Sequence, residues 1–91
     1  MPYWVYIVIC ADGTLYTGIA TDVARRLAEH NGEKAKGARY TAARRPVMLA
    51  YRAPFASRSD AAKEEARIKQ MPRREKQKLV DAEPAVLAAG A

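Results

Sequence analysis

The sequence predicts an α+β domain: a small three-stranded antiparallel sheet flanked by helices, in the order β-β-α-β-α-α. Three observations lead there. Two β-branched and aromatic runs flank an Asp-Gly pair near the N-terminus, and a third such run sits in mid-chain. The remaining apolar residues recur at helical spacing between capping and breaking residues. At 91 residues the chain is sized for one domain, because two halves would each be too small to bury a core. Residues 1–83 are expected to form that domain and 84–91 a short helical or frayed tail.

Tyr3 to Cys10 is the first strand and Thr14 to Ile19 the second. A two-residue turn between them would put Tyr6 and Tyr16 on opposite faces. A three-residue loop, Ala11-Asp12-Gly13 with Gly13 left-handed, pairs Cys10 with Thr14 instead, Tyr6 with Gly18 and Val8 with Tyr16. The opposite face then carries Val5, Ile7, Ile9, Leu15 and Ile19. That cleaner segregation favours the three-residue loop. A helix follows, capped by Thr21 or Asp22 and ended by Asn31-Gly32, with Val23 and Leu27 as its buried pair. With Val23 at 0°, Arg26 falls near 300° and His30 near 340°, bordering the core stripe, whereas Arg25 and Glu29 point away.

Residues 32–46 read as a long basic loop. Val47 to Ala53 is the third strand, Val47, Leu49 and Tyr51 alternating with Met48, Ala50 and Arg52 until Pro54 stops it. Ser57 or Ser59 caps a helix to about Met71 with Ala61, Ile68 and Met71 on one face. Pro72 breaks it and opens the next, Arg73 to about Asp81, burying Leu79 and Val80.

Composition narrows the function. Apolar residues make up 49% of the chain, which excludes disorder as the default. The longest apolar run, Trp4 to Ala11, is far short of the roughly 20 residues that span a bilayer, and no Lys or Arg precedes it as in a signal peptide. One cysteine and one histidine can build neither an internal disulfide nor a structural zinc site. A soluble, cytoplasmic domain with no membrane role is the expectation. The net charge of +6 is localised: residues 25–52 alone carry +6, mostly from arginine, which suits bidentate contact with phosphate. Such a stretch on a small domain points to nucleic acid, with a merely solubilising face as the plain alternative.

No Gly-rich phosphate loop is present, and Cys10 lies within an apolar strand, where an inert buried thiol is expected. What remains is Tyr6 and Tyr16 on adjacent strands, Arg26 and His30 on the next helix, and Glu64 or Glu65 on a later one. Each alone has an ordinary explanation: strand tyrosines pack their rings, a lone helical histidine packs or caps, and helical glutamates are solvated. Periodicity cannot choose between Glu64 and Glu65, which flank Ile68 at about −40° and +60°.

In order along the chain, Val5-Tyr6-Ile7, Tyr16-Thr17-Gly18, Arg26, His30-Asn31, Ala38-Arg39-Tyr40-Thr41, Arg45-Pro46-Val47 and Glu65-Ala66-Arg67-Ile68-Lys69-Gln70 resemble the GIY-YIG nuclease superfamily. The match is to its small stand-alone bacterial branch, the UPF0213 family, related to Slx1-type nuclease domains, and it covers residues 3 to about 81. The first motif departs from the superfamily's name, reading Val-Tyr-Ile for Gly-Ile-Tyr, and the late Asn of some relatives has no counterpart. The resemblance implies metal-dependent hydrolysis of DNA phosphodiester bonds, structure-selective or weakly sequence-selective, with RNA left open as a substrate. It implies Tyr6 as general base or relay, Tyr16 orienting water or phosphate, and Arg26 gripping the scissile phosphate. His30 would take the Tyr6 proton or hold a phosphate oxygen, and Glu65 rather than Glu64 would bind Mg²⁺ or Mn²⁺. Arg39, Tyr40, Thr41, Arg44 and Arg45 would form a track for the nucleic-acid backbone. A phenol near pKa 10 is protonated at neutral pH unless cations lower it, so a base beside Tyr6 is chemically required. The alternative is a nucleic-acid-binding module of the same fold with negligible catalysis, acting with a partner protein.

Overall fold

The computed structural model describes residues 2–32 and 44–82. Its elements are β1 (Tyr3–Cys10), β2 (Leu15–Ala20), α1 (Val23–His30), β3 (Val47–Phe55), α2 (Arg58–Lys69) and α3 (Arg73–Asp81), the predicted order. Residues 33–43, most of the predicted basic loop, and the tail 84–91 lie outside the described residues.

The sheet order is β2-β1-β3 with β1 antiparallel to both neighbours. The hairpin has the three-residue loop: the Gly13 N–H donates to the Cys10 carbonyl at 2.9 Å and the Cys10 N–H to the Thr14 carbonyl at 2.8 Å. Gly13 has φ 85°, open to glycine without strain, and the Asp12 carboxylate accepts from the Thr14 N–H at 3.0 Å. Tyr6 therefore lies opposite Gly18 and Val8 opposite Tyr16.

Strand alternation then separates two cores. Val5 and Ile7, both fully buried, pack with Ala61 and Ile68 of α2 and Val80 of α3. Burying each such branched side chain contributes about 1.5–3 kcal/mol, so this aliphatic layer anchors both C-terminal helices to the sheet. Tyr6, Val8 and Cys10 face the other way, where Val23 of α1 and Val47 and Leu49 of β3 cover them. Cys10, a free thiol, is buried as expected.

The third strand departs from simple alternation. Ile7 pairs with Tyr51 but the next residue, Val8, pairs with Leu49, so Ala50 is an extra, bulged residue. The bulge reverses the parity. Val47 and Leu49 stay on the Tyr6 side, Tyr51 turns into the aliphatic core, and Arg52 comes round to the Tyr6 side. The strand also runs through Pro54, which pairs with Trp4, to Phe55. The reason is position: β3 is an edge strand, where proline is tolerated.

Side-chain caps define the helix starts. The Asp22 carboxylate, not Thr21, accepts from the Arg25 N–H at 3.0 Å, and the Ser57 hydroxyl accepts from the Asp60 N–H at 3.1 Å. Helix α2 ends at Lys69, two residues short of Met71, and Pro72 sits at the N-cap of α3. Leu79 is half-buried beside the fully packed Val80. Among the described residues no helix is long and apolar enough to cross a membrane.

Candidate active site

The site is built on the face of β1 and β2 that α1 covers. Tyr6 is 2% exposed, and its ring lies across the backbone of Gly18. A β-carbon at residue 18 would stand 2.5 Å from the Tyr6 hydroxyl oxygen and 2.7 Å from Cζ. The glycine two residues after Tyr16 thus has a steric cause: it is the space the phenol occupies.

Helix α1 brings His30 over this phenol from its last turn. Tyr6 Oη and His30 Nε2 are 2.7 Å apart, and both side chains are buried. The His30 ring makes edge-on contacts with two tyrosines, its centroid 5.8 Å from that of Tyr6 and 5.3 Å from that of Tyr16. Arg26, one turn earlier, hydrogen-bonds to the Tyr6 phenol. The phenol oxygen accepts from the guanidinium, and its own proton can go to Nε2 when the neutral imidazole carries its proton on Nδ1.

The electrostatics agree. Burial pushes the His30 pKa down to about 4, with the nearby charge of Arg26 acting in the same direction. Burial likewise pushes the Tyr6 phenol up to about 12, outweighing the downward pull of the Arg26 hydrogen bond and charge. The cationic neighbour expected from sequence is present, but desolvation exceeds it. Besides Arg26, His30 lies within hydrogen-bond reach of the phenol oxygen.

Glu29 is a residue the helical angles placed away from the core. Its carboxylate is only 14% exposed and accepts from Arg26 at 3.0 Å, with Arg25 Nε at 3.4 Å. Arg26 holds this carboxyl below its ordinary range. The signal was in the sequence as the i, i+3 and i, i+4 spacing of Arg26 and Arg25 to Glu29. A cleft of about 250 Å³ opens beside this cluster, between Ala20 at the end of β2, Thr21 and the capping Asp22, and Arg25, Arg26 and Glu29 of α1.

The two candidate acids on α2 differ in chemical freedom. Both oxygens of Glu64 are taken by the fork of Arg67, from Nε at 2.6 Å and from the terminal nitrogen at 2.5 Å. Glu65 is paired with the exposed Lys69 at 3.2 Å, and its charge acts on the Tyr6 phenol. Glu65 is therefore the carboxylate with lone pairs available to a cation near the phenol. Among the described residues no three His, Cys, Asp or Glu side chains gather as a metal cage. The donor set fits a hard ion held by one carboxylate with substrate phosphate and waters, an ordinary arrangement for magnesium.

The basic track divides. Arg39, Tyr40 and Thr41 lie outside the described residues. Arg44 Nε is 3.1 Å from the Asp12 carboxylate in the hairpin turn, and the Arg44 carbonyl accepts from the Ala11 N–H at 3.0 Å. Arg45 Nε donates to the His30 carbonyl at 2.8 Å, closing the C-terminus of α1, where a cation is favourable. Asn31 adds a second tie. Its amide nitrogen donates to the Val47 carbonyl at 3.0 Å and its oxygen accepts from the Val47 N–H at 2.7 Å. Its adjacency to His30 was legible; its use as a splice between α1 and β3 was not, because the partner is backbone sixteen residues away.

Two tyrosines, an arginine and a histidine thus gather on a β-hairpin and the helix after it, within a three-stranded β-β-α-β-α-α domain. The chain belongs to the GIY-YIG family, whose catalytic domain matches residues 2–78. Within it the chain is similar to proteins of the UPF0213 family. It is 61% identical over 82 residues to a UPF0213 protein of Desulfotalea psychrophila, covering 89% of this chain and 74% of that one. It is 51% identical over 75 residues to one of Halobacterium salinarum, covering 82% and 95%. The solution NMR structure of a UPF0213 protein from Bacillus halodurans is similar with a TM-score of 0.57 at 41% identity, over 90% of this chain and 85% of that one. A second NMR structure, of a protein from E. faecalis, gives 0.61 at 37% identity, with the same coverage of 90% and 85%.

Proposed function

We propose that the protein is a metal-dependent endonuclease that hydrolyses DNA phosphodiester bonds, structure-selectively or with weak sequence preference. The observation that carries this reading is the buried 2.7 Å contact between Tyr6 and His30, with Arg26 on the same phenol oxygen. Hydrolysis requires that a water lose its proton and that charge on the phosphoryl oxygens be stabilised. A Tyr6 phenol that accepts a proton from water while passing its own to His30 never has to become a phenolate. Its high pKa is then no obstacle. An incoming phosphate adds negative charge beside His30 and competes with Glu29 for Arg26, and the added charge raises the basicity of the imidazole. Arg26 grips the phosphate through its planar fork, and Tyr16, packed on His30, orients water or phosphate. Glu65 would hold Mg²⁺ or Mn²⁺, which when bound supplies Lewis-acid stabilisation of the phosphoryl charge and the departing oxygen. Arg39, Tyr40, Thr41, Arg44 and Arg45 would guide the backbone.

End-labelled branched, nicked and linear DNA, with an RNA counterpart, incubated with Mg²⁺ or Mn²⁺ beside the Glu65→Ala protein tests this. Metal-dependent products from the parent protein and none from the variant are expected. Binding without cutting across the whole panel favours the second reading, a binding module acting with a partner protein. That reading draws on one observation, that Arg26 is already engaged by Glu29 and Tyr6 in the free protein.

A further inference from the structure

The bulge in β3 places Arg52 directly opposite Tyr6, on the face that holds the candidate site. Its guanidinium carbon lies 5.0 Å from the centroid of the Trp4 ring, within cation–π range. Among the described residues Arg52 has no acidic partner, whereas Arg25, Arg26, Arg44 and Arg67 are all paired with carboxylates. Trp4 is half-buried and flanked in the sheet by two compact residues, Ala20 on β2 and Pro54 on β3. Ala20 is also a wall of the cleft that leads to Arg26 and Glu29. Ala20 therefore links the Trp4–Arg52 pair to the cleft that holds Arg26 and Glu29.

A guanidinium within cation–π range of an indole has a specific use in nucleic-acid recognition. It offers a positively charged, aromatic surface on which a nucleobase can stack, sequence-tolerantly, and a base out of its duplex stack has both faces free for that contact. The geometry points to a base-stacking subsite formed by Trp4 and Arg52 that takes an unpaired nucleotide next to the phosphate held at Arg26. The substrate class is thereby narrowed to DNA with a single-stranded segment at the cutting point, such as a flap or a frayed branch. This assignment rests on the nuclease reading of the site, but its test does not depend on cutting.

Trp4 is the only tryptophan in the chain, so its fluorescence reports this subsite alone. The full chain in EDTA is titrated with a thymidine 12-mer, a blunt duplex and a duplex bearing a thymidine overhang, with anisotropy of labelled DNA recorded in parallel. Quenching by the 12-mer and the overhang but not by the blunt duplex is expected. Arg52→Ala, an exposed position that leaves the reporter in place, should weaken overhang binding about tenfold while changing blunt-duplex affinity less than twofold. Arg52→Lys, which keeps the charge but not the plane, should behave like the alanine variant. Equal quenching by blunt duplex, binding without quenching, full rescue by lysine, or no binding to any of the three DNAs overturns the subsite. Quenching that follows the expected pattern, in a protein that releases no product with Mg²⁺ or Mn²⁺, sinks the nuclease reading and leaves the subsite standing.

Discussion

At the scale of single residues, the Tyr6–His30 pair links the chemistry to the stability of the fold. Tyr6→Phe removes the hydroxyl through which water and His30 would exchange a proton and should lower cleavage at least about 100-fold. It also leaves a buried imidazole nitrogen without its hydrogen-bond partner, a cost of about 1–3 kcal/mol readable in urea unfolding. His30 makes stability depend on pH in a defined sense. Its folded pKa is depressed to about 4 from 6.5, so between those values the unfolded chain binds a proton that the folded chain excludes. The stability present above pH 6.5 is lost as pH falls toward 4, in total about 3 kcal/mol. Unfolding curves across that window should show the decline, and His30→Gln should flatten it. The four residues of this cluster were legible in sequence because strand parity and helical angle are both read directly from spacing. The direction of the Tyr6 shift was not, because desolvation depends on what covers a residue and not on its neighbours in the chain.

At the scale of elements, the site depends on two splices. Gly18→Ala would drive a methyl group into the Tyr6 ring and displace the phenol from His30. We expect a cost of about 1–3 kcal/mol in stability and a loss of cleavage comparable to Tyr6→Phe, measured by thermal unfolding and product formation. Asn31→Ala strips both amide contacts from the Val47 backbone and should cost about 2 kcal/mol. Because it loosens α1 at the turn that carries His30, it should also slow cleavage without altering metal dependence. The hairpin register was legible because Asp12-Gly13 marks the turn and the cleaner segregation of aliphatic from aromatic residues favours the three-residue loop over the two-residue one. The third strand was legible in place but not in facing. Ala50 gives no pattern to mark a bulge, and the parity beyond it was inverted as a result. That one extra residue carried Arg52 onto the site face and hid it from the sequence.

For the whole molecule, the surplus of positive charge in residues 25–52 predicts binding that weakens steeply with salt. Each backbone-contacting arginine removed should reduce the slope of log affinity against log salt by about 0.9. Arg45→Ala should do so and also lower the melting temperature, because it takes a cation from the end of α1. Arg44→Ala should change the slope and release the Asp12 turn. Titrations of labelled DNA at several salt concentrations, beside thermal melts, separate these outcomes. How charge is distributed among partners was beyond the sequence, since Asp12 and Arg44 meet only after the hairpin folds. The buried thiol of Cys10 offers a last consequence. It is the sole sulfhydryl of the chain, on the central strand and 4% exposed, so an alkylating reagent can reach it only when the sheet parts. Where reclosing outpaces labelling, the labelling rate divided by that of a free thiol gives the fraction of molecules open at any instant. Nucleic acid that clamps α1 onto the hairpin should slow that clock, turning an inert side chain into a gauge of occupancy that needs neither dye nor turnover.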